Sequence, residues 1–251
     1  MADVRLSPGP VASAAASSGF RASRAEPVDS LDDFPTQPYA LRALLDRIQA
    51  MGQDLRRASA WEPCANRGHL VRVLCERFGA VLASDIADYG AGFVQRNFLS
   101  GRVQEGSVDW IITNPPFNVC ESVIARALDV AHVGVAMFLR TNVLAGEERY
   151  RSIFDRRPPS MVLQFAERIP IHRGVLRDPR EPYLNPRTGS YATPTTQADY
   201  LWLVWLKARR ASVPELHWVA PGAKALIRPG DYPDDPCGVA HIERREVLID
   251  G

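Results

Sequence analysis

The apolar positions of the chain follow two alternating periods. Leu41, Leu44, Leu45 and Ile48 recur at helical spacing within residues 40–51. Leu70, Val71, Leu74, Cys75 and Phe78 do the same before Gly79, and Val123, Ile124, Ala127, Leu128 and Ala131 mark a helix over 119–132 that Gly134 breaks. Between them lie short, dense apolar runs at 58–61, 80–84, 108–113, 135–139, 161–169 and 198–206. Bounded by turn formers and rich in β-branched and aromatic residues, these read as strands. A short helix is expected over 146–154, and His217-Trp218-Val219 as an edge strand. Strands alternating with helices predict an α/β protein, with a mostly parallel sheet and helices on both faces. Thr36 is the expected N-cap of the first helix and Pro38 suits its first turn. An exposed helix start there would favour an anion.

Residues 1–33, rich in Ala, Ser, Pro and Arg, cannot bury a core and are expected to form a disordered tail. Residues 34–210 form one domain, and 211–251 a polar, Pro-rich extension packed on it or trailing from it. The connection 170–197 is long for a compact domain and is expected to be functional. It carries Arg173, Arg177, Arg180 and Arg187. These suit a phosphate-facing surface, or equally a solvated loop in a chain whose basic residues are nearly all arginine.

Bulk composition narrows the chemistry. A net charge of +1 excludes a wholly basic nucleic-acid glue. The four cysteines form no C-x-x-C pair and no histidine cluster accompanies them, which predicts no metal site and no disulfide framework. No apolar run is long enough for a membrane span, and no secretory signal is evident. A reduced, cytoplasmic protein, a monomer or weak dimer, is expected.

The strand 108–113 runs straight into Asn114-Pro115-Pro116-Phe117. Two prolines stop the strand and stiffen the turn. Asn114 is thus fixed at the carboxyl end of a strand, where open α/β sheets bind ligands. A fixed amide beside a ring can grip a flat molecule carrying an amino group, the amide oxygen accepting from the amine and Phe117 stacking on its face. The plain alternative is a capped turn with Phe117 plugging the core.

Two other turns invite a ligand. Glu62-Pro63-Cys64-Ala65-Asn66-Arg67-Gly68 links a strand to a helix through small residues, but it is not the glycine fingerprint of nicotinamide enzymes. Asp85 ends the second strand, where a carboxylate can accept from two ribose hydroxyls.

In this order, Phe34-Pro35-Thr36, Glu62 to Gly68, Ser84-Asp85-Ile86, Asn97-Phe98-Leu99 and Asn114 to Phe117 resemble the class I S-adenosylmethionine-dependent methyltransferases. More narrowly they resemble compact phage or prophage enzymes that methylate adenine N6 in DNA. The resemblance covers roughly residues 34–207. It implies a Rossmann-like seven-stranded sheet whose last strand is antiparallel and forms a hairpin with the strand before it.

It also implies that S-adenosyl-L-methionine is held by Pro35 and Thr36 at its methionine end, and by Glu62, Pro63, Ala65, Asn66 and Gly68 around methionine and ribose. Asp85 would hold the ribose, with Ile86, Asn97 and Phe98 at the adenine. Asn114 and the Pro115 carbonyl would bind the two N–H groups of the target amine, Pro116 would stiffen the turn, and Phe117 would stack on a flipped base. DNA is the implied partner, with no sizeable recognition domain and hence loose specificity.

Two positions depart from the family. Asn66 stands where glycine is usual, and Asn97 where an acid is usual. They leave open a weakened relative that only binds cofactor or DNA. An RNA base or a protein glutamine amide would suit the same turn.

Overall fold

The computed structural model describes residues 32–101, 103, 105–209, 213–242 and 247–248. Residues 1–31 of the expected tail 1–33 lie outside the described residues. Asp32 and Asp33, counted with that tail, are placed and bonded into the site described below.

The strands are β1 (Ser59–Glu62), β2 (Ala80–Asp85), β3 (Val94–Gln95), β4 (Val108–Thr113), β5 (Ala131–Arg140), β6 (Met161–Phe165), β7 (Tyr183–Leu184), β8 (Tyr191–Ala192), β9 (Tyr200–Leu206), β10 (Glu215–Val219) and β11 (Val247–Leu248). The α-helices are α1 (Pro38–Ala50), α2 (His69–Cys75), α3 (Cys120–Val130) and α4 (Glu147–Arg149). The main sheet runs β10-β6-β9-β5-β4-β1-β2-β11, with β3 on the outer side of β2. Every neighbour is parallel except β9, which is antiparallel to both β5 and β6.

The mostly parallel α/β expectation therefore holds, and the late antiparallel strand pairs with β6 as expected. Among the described residues the sheet counts nine strands rather than seven, because residues C-terminal to β9 supply β10 at one edge and β11 beside β2.

Two apolar cores, one on each face, explain why the central strands are apolar throughout. Trp110 and Trp202 enter one, with the Trp202 indole donating to the Ala40 carbonyl at 3.0 Å. Trp61 and Trp205 enter the other, donating to Ser84 and to the Arg157 carbonyl. The buried indole N–H groups of Trp61, Trp202 and Trp205 thus each have an acceptor.

Several boundaries moved. α3 ends at Val130, not at residue 132, because the chain from Ala131 onward is already paired with β4. Gly134 is therefore inside β5 and breaks no helix. It faces Trp110, and a Cβ there would sit 2.5 Å from the indole. β6 stops at Phe165 rather than running to residue 169. Gln37, not Thr36, is the N-cap of α1, and no side chain caps it. The start of α1 is buried, with Thr36 and Gln37 almost inaccessible, so it offers no open anion site.

The extension beyond residue 211 is woven into this body. Arg42, on α1 and fully buried, is held by Asp231 through 2.6 and 2.7 Å contacts and by Glu76 through 2.9 and 2.6 Å contacts. Tyr232 donates to the Gln37 side-chain oxygen at 2.8 Å.

Candidate active site

β4 delivers Asn114 to the carboxyl end of the sheet, beside the ends of β1 and β5. The Asn114 amide nitrogen donates to the Phe34 carbonyl at 3.1 Å and to the Thr36 hydroxyl at 2.8 Å. A carbonyl can only accept, so this pair fixes which end of the amide is nitrogen. Both amide hydrogens are then used, and among the described residues none donates to Asn114 Oδ1 or to the Pro115 carbonyl. Pro115 is buried and Pro116 half-buried. Phe117 is 37% exposed, so it does not plug the core. Its backbone N–H donates to the Asp32 carboxylate at 2.6 Å. The guanidinium carbons of Arg140 and Arg149 lie 5.5 and 5.8 Å from its ring centroid.

The second cluster gathers at the ends of β1 and β2. Glu62 is fully buried. One carboxylate oxygen accepts from the Thr113 hydroxyl and from the Cys64 N–H, while the other has no partner among the described residues. Burial pushes its carboxyl well above the usual carboxylate range, and the nearby Asp85 adds to that. Asp85 accepts from the backbone N–H groups of Asn66 at 2.8 Å and Ala87 at 3.0 Å. It too is raised by burial, against the pull of those hydrogen bonds. Ile86 beside it is 57% exposed.

Between these two strand ends, the Ala65 N–H donates to the Ser84 carbonyl and Gly68 N–H to Ala65, which closes the turn. Asn66 adopts φ +49°, in the left-handed region that Asn tolerates better than most residues. Its side-chain nitrogen donates to Asp33 at 2.9 Å, and Arg67 binds the same carboxylate at 2.7 and 3.0 Å. Gly68 lies at φ +85°, where a side chain is strained, and a Cβ there would meet the ends of Ile242 and Phe93 at 2.8 and 2.9 Å. Pro35 and Pro63 are buried within these turns.

No family model matches the chain, and no curated protein matches it in sequence. Solved structures match it in fold. A protein from Listeria monocytogenes assigned to the class I S-adenosylmethionine-dependent methyltransferases is 11% identical at a TM-score of 0.51, over 78% of this chain and 67% of that one. The methyltransferase subunit of a type I restriction-modification system from Streptococcus thermophilus is 11% identical at a TM-score of 0.50, over 71% of this chain and 45% of that one. The fold is that of the class I methyltransferases. This chain spans less than half the length of the restriction-modification subunit.

Within the methyltransferase fold one expected cofactor residue is placed differently from expectation. Phe98 is buried against Trp61, ring centroids 5.2 Å apart and nearly perpendicular, and Arg126 lies over the ring. It therefore offers no open face. The exposed Asn97 accepts from the Leu99 N–H through its side-chain oxygen at 2.9 Å, an Asx turn.

The arginine connection is built rather than loose. β7 and β8 form a hairpin in which Leu184 and Tyr191, cross-strand neighbours, are 57% and 76% exposed. Arg177 stacks on Tyr183 at 4.0 Å and Arg180 is bound to Asp178, while Arg187 is exposed in the hairpin turn and Arg173 is exposed near its base.

Sequence patterning did not identify Asp32, Asp33 or Arg140. Each acts on a residue far along the chain, and nothing local marks it.

Proposed function

We infer that this chain is an S-adenosylmethionine-dependent methyltransferase acting on the exocyclic N6 of adenine in DNA. The observation that carries the reading is the orientation of Asn114. Its two N–H groups are held by Phe34 and Thr36, which leaves Oδ1 as an acceptor next to the Pro115 carbonyl. An exocyclic amine has two N–H groups to give. Accepting both favours a more tetrahedral nitrogen whose lone pair can point away from the ring. The exposed ring of Phe117 suits a planar base, which must be flipped out of a duplex to reach it at a cost of about a few kcal/mol.

The residues at the ends of β1 and β2 fit the cofactor. Glu62 keeps a buried carboxylate oxygen without a partner, which an ammonium group would satisfy. Asp85 retains acceptor capacity for a ribose diol beyond its bonds to backbone N–H groups. Ile86 offers apolar surface to a purine. When bound, S-adenosylmethionine supplies an electrophilic sulfonium methyl. The chain's own part is to hold the amine in line with it and to exclude competing hydrogen bonds. Fold alone does not choose the substrate. The choice of DNA rests on the arginines of the 170–197 connection, among them the exposed Arg187.

The test is incubation of the protein with methyl-labelled S-adenosylmethionine and unmethylated DNA, then digestion and mass spectrometry of the nucleosides. Labelled N6-methyladenine, lost in Asn114→Ala, is the expected result. Label in N4-methylcytosine would change the base, and label only in RNA or in a protein glutamine would overturn the DNA assignment.

A further inference from the structure

Two arginines stand over the Phe117 ring, and they are not equivalent. Arg149 is tied to its own surroundings. Its Nε lies 3.3 Å from Glu121, and its terminal nitrogen donates to the Ala145 carbonyl at 2.8 Å and to that of Asn142 at 3.4 Å. Arg140, the last residue of β5, has no ion pair and no side-chain hydrogen bond to any described residue. The acids near it are committed elsewhere. Asp32 accepts from the Phe117 N–H, and Asp199, whose backbone carbonyl takes the Thr141 N–H, faces Arg168 at 3.6 Å. Arg140, a half-buried residue, thus has a guanidinium without a polar partner among the described residues, beside the Phe117 ring.

Guanidinium presents its N–H groups as a planar fork that matches a phosphate, while its flat face can rest on an aromatic ring. We propose that Arg140 is a specificity-determining residue that binds the backbone phosphate flanking the target nucleotide while its face holds the Phe117 ring. This rests on the reading above that the substrate is a base in a polynucleotide. A protein amide brings no phosphate to this position, so Arg140 would select for nucleic acid at the catalytic turn itself. The arginines of the hairpin connection would act farther out.

The test pairs a protein change with a substrate change. The protein is the full chain, wild type, Arg140→Ala and Arg140→Lys. The substrate is a short duplex with a single adenine, whose flanking phosphates are either natural or replaced by neutral methylphosphonate. Binding is followed by fluorescence anisotropy over a range of salt, and KM and kcat by methyl transfer. For the natural duplex, Arg140→Ala is expected to weaken binding and raise KM roughly 10- to 100-fold, as for loss of a charged hydrogen bond. The log–log salt slope should fall by about one. Methylphosphonate should weaken wild-type binding by a similar factor and add little in Arg140→Ala. Arg140→Lys should recover part of the loss.

Additive effects of the two changes, or an unchanged salt slope, would overturn the phosphate contact. So would a fall in kcat alone, since that is what a purely structural prop for Phe117 would give. Coupling in binding without any methyl transfer to adenine would leave the contact standing and sink the adenine assignment.

Discussion

The side chain of Asn114 donates to the hydroxyl of Thr36 across 2.8 Å, although the two residues are 78 positions apart. That bond, with the one to Phe34, determines which end of the amide can face a substrate. Thr36→Val should therefore leave the fold intact yet cost about tenfold in kcat/KM, the worth of one hydrogen bond that orients a reacting group. Asn114→Asp keeps an acceptor but loses both anchoring donors, and a loss of more than about a hundredfold is expected. If Thr36→Val shows unaltered kinetics, the amide is not oriented in this way.

Glu62 should trade stability against cofactor binding. Its folded carboxyl holds its proton more tightly than the unfolded chain does, whose value is near 4.5. Its favourable contribution is thus complete below that pH and is lost as pH rises through the higher folded value. Glu62→Gln removes this loss, so urea midpoints of variant and wild type should converge near pH 4 and favour the variant at pH 8. Calorimetric affinity for S-adenosylmethionine should fall by about tenfold or more, because the charged partner is gone. Undiminished affinity would place the cofactor elsewhere.

His69, the first residue of α2, should act in the opposite sense. Neither ring nitrogen has a partner among the described residues, and burial, with Arg67 and Arg72 nearby, lowers its pKa from 6.5 to about 4. Above pH 6.5 it is neutral in both states and costs nothing. As pH falls from 6.5 to 4 the unfolded chain gains a proton that the folded chain refuses, which lowers stability by about 2 kcal/mol at pH 5. His69→Leu should flatten that part of the acid dependence, as seen by comparing denaturant midpoints at pH 7 and pH 5.

The Arg42–Asp231 pair should be the costliest polar contact to break. Both side chains are fully buried, and Asp231 also binds Arg72 at 2.7 Å. Asp231→Ala would leave a buried guanidinium half-satisfied, a loss of about 3–5 kcal/mol. Thermal melting should fall by roughly 10 °C. A melting point within a degree or two of wild type would show that residues 213–242 dock independently of this pair.

The arginines of the hairpin connection should separate in DNA binding. Arg180 is neutralised by Asp178, whereas Arg187 has an exposed side chain in the turn. Arg187→Ala is expected to lower the salt slope of DNA binding by about one, and Arg180→Ala to change it little. Equal effects would mean that the hairpin does not face the phosphates.

The sequence alone determined the elements whose cause is local. The strand Val108–Thr113 is legible to the residue, because an apolar run meets two prolines that cannot extend a ladder. The alternation of strand and helix specifies a mostly parallel sheet, and the strand pairing is mostly parallel. Gly134 shows where local signals mislead. A glycine after a helical run reads as a stop, but here it is the gap that admits Trp110 from the neighbouring strand.

Tertiary structure alone decided which partners meet. Phe117 with Asp32, Asn114 with Thr36, Arg42 with Asp231 and Phe117 with Arg140 join residues 23 to 189 positions apart. Strand order brings the ends of β4 and β5, and so Phe117 and Arg140, side by side, while the other pairs depend on where α1 and the segments outside the sheet dock. Periodicity records which face of an element is buried. It carries no information about what another element will place against its end.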